Sequence, residues 1–136
     1  MPYGNHLILG LALAGAGGAG TLARYGMDVL SQSVAVRRVV MGTLLVNLLG
    51  SLLYGLVFGL FEARSHWPEP VKLVLLTGFM GAFTTFSTYT FQAVTHMRGG
   101  QWLSTVLHVL AHNAGALALA LLGYAVAKHL LSPAGA

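Results

Sequence analysis

The segment GFMGAFTTFSTYTFQ, from Gly78 to Gln92, decides how the rest of the chain is interpreted. It lies in a long run without charged residues, as a membrane span would, yet it contains five Thr or Ser hydroxyls, two glycines and several aromatic rings. Glycine and threonine are weak helix formers, and hydroxyl groups compete for backbone hydrogen bonds. We therefore predict that this span is interrupted at its centre. Backbone groups freed at that depth must face protein or water, so the interruption marks the working part of the chain.

The composition predicts a membrane protein. The chain has 136 residues, of which 56% are hydrophobic and 7% charged, and its mean hydropathy is +0.75. A soluble domain averages about 25% charged residues. The absence of cysteine excludes a thiolate metal site and a thiol nucleophile, and three acidic residues leave little for carboxylate catalysis, so we expect no enzyme. The seven basic residues are scattered, so we expect no nucleic-acid binding.

Four uncharged runs predict an all-α membrane protein with four transmembrane helices in a single domain. The approximate spans are residues 5–30, 39–61, 71–97 and 101–129. Each run is near or above the roughly 20 residues that cross a hydrocarbon core. The first span could instead be a cleaved signal peptide, because it contains the small-residue stretch AGAGGAG. However, no Lys or Arg leads it and no clear mature domain follows it.

The basic residues are balanced between the two sides of the membrane. Four spans place three on the side of the termini and three on the other, namely Arg64, Lys72 and Lys128 against Arg37, Arg38 and Arg98. The positive-inside rule then gives no preferred orientation. Either Arg24 or residues at the loop edges favour one orientation in the membrane, or copies insert in both orientations and pair antiparallel. Because a chain of four helices encloses little by itself, we expect a dimer.

Polar side chains form stripes on two further spans. One stripe contains Thr43, Asn47 and Tyr54 in span two, and the other contains Ser104, His108 and His112 in span four. Each stripe is explained either by interhelical hydrogen bonds, worth about 1 kcal/mol, or by a polar pathway. The spacing of His108 and His112 also suits a transition metal, but no carboxylate or cysteine lies nearby in sequence. The other histidines, including His96, lie near span ends and need no special role.

Small residues recur at four-residue steps in the first two spans. They are Gly10, Ala14 and Gly18 in span one, and Gly55 and Gly59 in span two. This spacing predicts close helix packing and says nothing about chemistry.

The aromatic rings of span three lie at three-residue steps, at Phe83, Phe86 and Tyr89. They form either an ordinary core stripe or a rim of positive ring edges that an anion can contact. Amide and hydroxyl groups can donate hydrogen bonds to the same anion, and no Lys or Arg lies deep enough to trap it. The spans therefore suit weak, stepwise contact with an anion.

At this point the motifs resemble a known family. The segment GFMGAFTTFSTYTFQ closely resembles the signature of the CrcB/Fluc family of fluoride ion channels. The stretch GTLLVNLLGS, Gly42 to Ser51, resembles its second-helix motif, and GGAGTLARY, Gly17 to Tyr25, its first-helix motif. The resemblance covers nearly the whole chain. It implies passive, fluoride-selective efflux from the cytoplasm through two pores of a dual-topology antiparallel homodimer in the bacterial inner membrane.

The resemblance also implies roles for particular residues. A structural Na+ would be held at the dimer centre by main-chain carbonyls of Gly81 and Thr84 from both subunits. Asn47 would donate a hydrogen bond to the ion in the pore, and Phe86 would be the first of two pore rings. The second ring falls on Tyr89, where the family has Phe. The remaining positions of the ion pathway are Ser87 and Thr88 in the hydroxyl region, Thr43 in the second helix, Arg24 near a vestibule, and His108 and His112.

Further departures from the family pattern suggest altered conduction. Gln92 stands where the family often has Glu, and His108 and His112 stand where it has Tyr, Ser or Asn. Because histidine titrates near neutral pH, we predict that fluoride flux varies between about pH 5 and pH 8.

Two other function classes compete with the channel. A small dual-topology, proton-coupled exporter needs a carboxylate deep in the membrane, and the only candidate is Asp28, near the end of span one, where it could pair with Arg24. A structural assembly factor explains the glycines but leaves the polar stripes unexplained. No nucleophile, base and acid set that would indicate an enzyme is visible.

Overall fold

The computed structural model describes residues 6–34, 38–63 and 67–131, and within these ranges it contains helices and no strand. Four helical stretches are long and apolar enough to cross a membrane: His6–Ser31, Met41–Ala63, Glu69–Arg98 and Trp102–Leu130. Over the described residues, the predicted all-α fold with four helices long and apolar enough to span a membrane is confirmed.

The first, second and fourth spans are continuous helices, and the third is composite. The continuous helices are α1 (His6–Val34), α2 (Arg38–Ala63) and α6 (Trp102–Leu131). The third span contains α3 (Glu69–Leu73), a π-helical segment (Val74–Met80), α4 (Gly81–Phe83) and α5 (Phe86–Arg98). We call residues 69–83 the first half-helix and α5 the second half-helix.

The two half-helices are separated by the break, which is formed by Thr84 and Thr85. Thr84 has φ −83° and ψ 161°, and Thr85 has φ −146° and ψ 108°, so both residues are extended. The hydroxyl oxygen of Thr85 accepts a hydrogen bond from the backbone N–H of Thr88, at 3.3 Å, and caps the second half-helix. The predicted interruption of the third span is confirmed, and a threonine side chain stabilises it.

Small residues let the spans approach one another closely. In the contact between α2 and α6, a Cβ added to Gly55 would overlap the carbonyl of Ala120, and one added to Gly123 would overlap that of Leu52. A Cβ on Gly59 would lie 2.7 Å from that of Ala127. The prediction of close packing at Gly55 and Gly59 is confirmed.

The small residues of α1 pack differently from the prediction. Gly10, Ala14 and Gly18 are exposed, and no atom lies within 4 Å of a Cβ added to Gly10 or Gly18. The contact with the first half-helix uses Gly20 instead, where a Cβ would overlap the carbonyl of Phe79. The predicted stripe is therefore wrong as a contact within the chain, because another face of α1 turns toward the first half-helix.

The outer surface of the bundle is apolar. Only 6% of the most apolar stretch of α1 is buried inside the chain. The buried share of the other three spans is at most 28%. Large side chains such as Leu22, Leu103 and Leu117 point outward. Lipid or another protein chain must cover this surface.

Candidate functional site

Asn47 of α2 holds the backbone of the break. Its Nδ2 donates a hydrogen bond to the carbonyl of Thr85 at 3.0 Å, and its Oδ1 accepts one from the N–H of Thr85 at 2.8 Å. The interruption takes the N–H out of helical hydrogen bonding, whereas the carbonyl, at the N-cap of α5, is also the first acceptor of that helix. A backbone N–H without a partner at this depth is costly. One side-chain amide therefore satisfies the N–H of Thr85, adds a donor to its carbonyl and ties α2 to the break.

The same hydrogen bonds release two carbonyl groups. In a regular helix the N–H of Thr85 would bond to the carbonyl of Gly81, and the N–H of Thr88 to that of Thr84. Here the first N–H bonds to Asn47 and the second to the hydroxyl of Thr85. The carbonyls of Gly81 and Thr84 thus lose their helical donors, and neutral oxygen ligands suit a hard cation. The donor set fits the predicted Na+ site.

A first cavity of about 400 Å³ lies beside the break, between α2, α5 and α6. It is lined by Asn47, Gly50, Ser51, Tyr54, Thr84, Phe86, Tyr89, His112, Asn113, Ala116 and Ala120. Four of the predicted pathway residues are among them: Asn47, Phe86, Tyr89 and His112. Its described lining holds aromatic edges, amides and hydroxyls but no Asp, Glu, Lys or Arg side chain.

Two aromatic rings from the second half-helix line this first cavity. The rings of Phe86 and Tyr89 meet edge to face, with centroids 5.5 Å apart and planes at 62°. Phe86 is 74% exposed, whereas Tyr89 is buried. The phenol oxygen of Tyr89 accepts a hydrogen bond from Nδ2 of Asn113 at 2.7 Å. Within the described part of the chain no acceptor takes the phenol hydrogen, so it remains able to donate.

A second cavity of about 420 Å³ lies on the other side of the break. Its lining is Thr21, Arg24, Tyr25, Asp28, Thr43, Thr85, Ser87 and Thr88, which includes the predicted residues Arg24, Thr43, Ser87 and Thr88. Along α2, Thr43 lies about one turn before Asn47, so the two cavities are offset along the helix axis. Among the described residues the one ion pair is Lys128 with Glu62, so Arg24 and Asp28 do not form the pair that their spacing allows.

Gln92 forms a further link between α5 and α2 that sequence reasoning missed. Its Nε2 donates to the hydroxyl of Thr43 at 2.8 Å, and both side chains are buried. A buried amide in a membrane span needs a hydrogen-bonding partner, which was the available signal. The polar face of α2 therefore contacts the third span at two points: Asn47 bonds to the break and Thr43 to the second half-helix.

A file of aromatic rings, which we call the histidine file, packs between α5 and α6. It consists of His96, His108, His112 and Tyr89. The centroids of His96 and His108 are 5.6 Å apart, those of His108 and His112 4.3 Å, and those of His112 and Tyr89 4.5 Å. His96 was given no role from the sequence, because only its place near a span end was visible. His108 lines neither cavity, and no group of three or more His, Cys, Asp or Glu in the described ranges is placed to hold a metal.

Comparison with known proteins identifies the family. The family described as "CrcB-like protein, Camphor Resistance (CrcB)" matches residues 11–124. The chain belongs to the CrcB family. Its curated relatives in that family include proteins named fluoride-specific ion channel FluC. The one from Maridesulfovibrio salexigens is 40% identical over 122 residues, covering 90% of this chain and 97% of the relative.

Two further CrcB-family relatives with the same name show similar coverage. The protein of Nitratidesulfovibrio vulgaris is 46% identical over 117 residues, covering 86% of this chain and 91% of the relative. That of Nitrosococcus oceani is 40% identical over 118 residues, covering 87% and 93%. The resemblance predicted from the sequence motifs is confirmed. With four helices able to span a bilayer, this CrcB-family chain is a multi-pass membrane protein.

Proposed function

We propose that this chain is a fluoride-selective channel that lets F⁻ leave the cytoplasm passively. The observation that carries the proposal is the break itself: Asn47 holds an extended backbone open between two cavities in the middle of a CrcB-family bundle. The fluoride specificity in the names of the curated relatives supports the choice of ion.

The lining of the first cavity suits a small anion that has lost part of its water. Ring edges of Phe86 and Tyr89 present positive hydrogens, and the phenol of Tyr89 can donate a hydrogen bond. Since one hydrogen of Asn47 Nδ2 bonds to Thr85, the other stays available to an ion. Such neutral donors bind an anion weakly enough for it to leave again. Arg24 lines the second cavity beside Asp28, so its guanidinium can contact an anion there while the full charges of the lining balance.

The channel is proposed to be a dual-topology antiparallel homodimer with two pores in the bacterial inner membrane. Phe86 and Phe91 of the second half-helix are 74% and 70% exposed, and most of α1 is uncovered, so the chain leaves a large apolar surface for a second copy. The balanced basic residues support insertion in both orientations.

The proposed dimer centre would hold a structural Na+ through the carbonyls of Gly81 and Thr84 of both copies. Support comes from the two hydrogen bonds that divert the helical donors of these carbonyls, and from the exposure of Gly81. When bound, the ion would supply a fixed positive charge and a link between subunits.

One observation favours the competing proton-coupled exporter. Asp28 lines the second cavity with Arg24, so an acidic side chain does reach a polar space. It lies toward the end of α1, away from the break, and the described lining of the first cavity has no carboxylate. The channel therefore explains more of the geometry.

Fluoride efflux from liposomes tests the proposal. Purified protein is reconstituted into liposomes whose external potassium concentration is roughly 300-fold lower than the internal one. Efflux is started with valinomycin and followed with ion-selective electrodes. We expect fluoride to leave rapidly and chloride to leave no faster than from protein-free liposomes. Equal fluoride and chloride rates would contradict a selective channel. Fluoride movement that requires an imposed pH gradient would favour the exporter.

A further inference from the structure

Two oppositely charged side chains line the second cavity, and both come from α1. Arg24 and Asp28 lie one turn apart, about 6 Å along the helix axis. Thr21 lies one turn before Arg24 on the same face, so Asp28 is the member of this row closest to the end of α1. Every other described residue of the lining carries a hydroxyl group and no full charge. The electrostatic field in this cavity is therefore dominated by one guanidinium and one carboxylate.

Both charged groups are without a partner in the described part of the chain. Arg24 and Asp28 form no ion pair with each other, and within residues 6–34, 38–63 and 67–131 no hydrogen bond reaches the guanidinium or the carboxylate. A charge that is not neutralised by a direct partner acts on other ions over several ångströms. Both groups therefore act on an ion that enters the second cavity.

α2 holds the carboxylate of Asp28 at the wall of this cavity. A Cβ added to Gly42 would lie 2.7 Å from Oδ1 of Asp28 and 3.6 Å from its Cα, so the carboxylate lies directly against the backbone of α2. The next residue of α2, Thr43, lines the cavity itself. The negative charge is thus held beside the cavity by two helices, and Asp28 is half-buried there.

An anion in the second cavity is attracted by Arg24 and repelled by Asp28. With Arg24 alone the cavity would bind an anion tightly, and an ion that binds too tightly leaves slowly. A carboxylate one turn away weakens this attraction and leaves the N–H donors of the guanidinium in place. The first cavity offers neutral donors instead, since its described lining carries no full charge.

We propose that Asp28 lowers the affinity of the second cavity for anions, so that fluoride passing Arg24 is released again. This inference rests on the proposed fluoride channel and adds a residue that tunes the same ion path. The role requires a negative charge at this position, and a neutral polar side chain of the same shape cannot fill it. It also differs from the role that the exporter would give to Asp28, because no proton is exchanged.

The concentration dependence of fluoride efflux tests the proposal. Efflux from liposomes is measured over a range of fluoride concentrations at neutral pH and at an ionic strength of about 0.05 M. Asp28→Asn keeps the shape of the side chain and removes its charge, so we expect the half-saturating fluoride concentration to fall roughly fivefold. The maximal rate should also fall, because the ion leaves more slowly. Asp28→Glu retains the charge and should behave as the unmodified protein does.

Added salt distinguishes an electrostatic effect from a change in structure. The Debye length falls from roughly 10 Å at 0.1 M ionic strength to roughly 3 Å at 1 M. With about 1 M N-methylglucamine isethionate on both sides of the liposome, the difference between Asp28→Asn and the unmodified protein should shrink to less than about twofold. A difference that persists in full at high salt would overturn the inference, since altered packing would then explain it.

Glu69→Gln is the matched control. Its carboxylate is exposed at the start of α3 and lines neither cavity, so its removal changes the net charge equally but away from the ion path. It should leave the half-saturating concentration unchanged. An equal shift in Glu69→Gln, or no shift in Asp28→Asn, overturns the inference and leaves the channel standing.

Two further outcomes separate this inference from the proposed function. Absence of fluoride efflux from the unmodified protein contradicts the channel itself. Loss of all fluoride movement in a folded Asp28→Asn overturns the inference and favours the exporter, which needs this carboxylate.

A second measurement does not depend on conduction. The chain has no cysteine, so Ser87→Cys introduces a single thiol into the second cavity. The rates at which negatively and positively charged methanethiosulfonate reagents modify this thiol report the local electrostatic potential. When Asp28→Asn is added, the ratio of the anionic to the cationic rate should rise by roughly fivefold or more. An unchanged ratio would overturn the inference even if conduction is intact.

Discussion

Asn47 and Thr85 are joined by two hydrogen bonds, of 3.0 Å and 2.8 Å, that match one side-chain amide to both backbone groups of one residue. Thr85 is extended at the N-cap of α5, so its N–H has no helical acceptor, while its carbonyl is the first acceptor of that helix. The amide of Asn47 supplies the missing acceptor and gives the carbonyl a second donor. It also remains at the wall of the first cavity, so the residue that stabilises the break also faces the proposed ion path.

Replacing Asn47 with Ala should destabilise the break and reduce conduction. The N–H of Thr85 would lose its partner and the carbonyl would lose one of two donors, and an unsatisfied buried group costs about 1–3 kcal/mol. Because water in the adjoining cavity recovers part of this, we expect the free energy of unfolding to fall by about 2 kcal/mol. Thermal unfolding in detergent and fluoride efflux from liposomes measure the two effects.

Ser51→Ala is the control for Asn47→Ala. Ser51 lines the same cavity, but its hydroxyl donates only to the carbonyl of Asn47, within α2. Its loss should change the free energy of unfolding by less than about 0.5 kcal/mol. Equal stability of the two variants would show that the amide does not support the break.

Phe86→Ile should abolish fluoride efflux without unfolding the chain. The ring is 74% exposed within the chain and contacts Tyr89 at its edge, so little core packing is lost, whereas the aromatic edge beside the cavity disappears. Phe91→Ile removes a ring that is equally exposed on the same helix but lines neither cavity. It should conduct normally. If both variants lose efflux while remaining folded, exposed rings of α5 serve assembly rather than the ion path.

The fold was largely readable from the sequence because the bilayer constrains it strongly. Uncharged runs of sufficient length predict the four spans, and the glycines and threonines around Thr84 and Thr85 predict the break. The face that α1 turns inward was not readable. Gly10 and Gly20 lie in similar sequence surroundings. Only the structure shows that Gly20, and not Gly10, packs against Phe79 of the first half-helix.

The sequence identified most residues of the candidate site, but not which of them form hydrogen bonds with each other. The polar stripe of α2 identified Asn47 and Thr43, but their partners lie 38 and 49 residues away, in a segment whose path depends on the break. The ring contact of His96 with His108 crosses the turn between α5 and α6. Such contacts depend on how two helices rotate against each other, which one sequence does not specify.

Tyr89→Phe should leave the channel selective but weaken its affinity for fluoride. The ring is retained, while the phenol that accepts from Asn113 and can donate into the first cavity is lost. One lost donor of about 1 kcal/mol corresponds to roughly a fivefold higher half-saturating fluoride concentration. Tyr124→Phe removes a phenol that bonds to Glu62, outside both cavities, and should leave this concentration unchanged. An unchanged affinity in Tyr89→Phe would mean that the phenol does not face the ion.

Gly123→Ala should destabilise the chain through the contact between α2 and α6. The added methyl group would overlap the backbone carbonyl of Leu52, and since backbone cannot rotate away, the two helices must separate. Overpacking of this kind costs about 1–3 kcal/mol, and the separation also changes the walls of the first cavity.

Gly18→Ala adds the same methyl group on α1, where no atom lies within 4 Å, and should cost nothing in the monomer. Thermal unfolding in detergent compares the two, and a stable Gly123→Ala would show that the α2–α6 contact tolerates a wider spacing. A destabilised Gly18→Ala would instead place a second copy against the exposed face of α1.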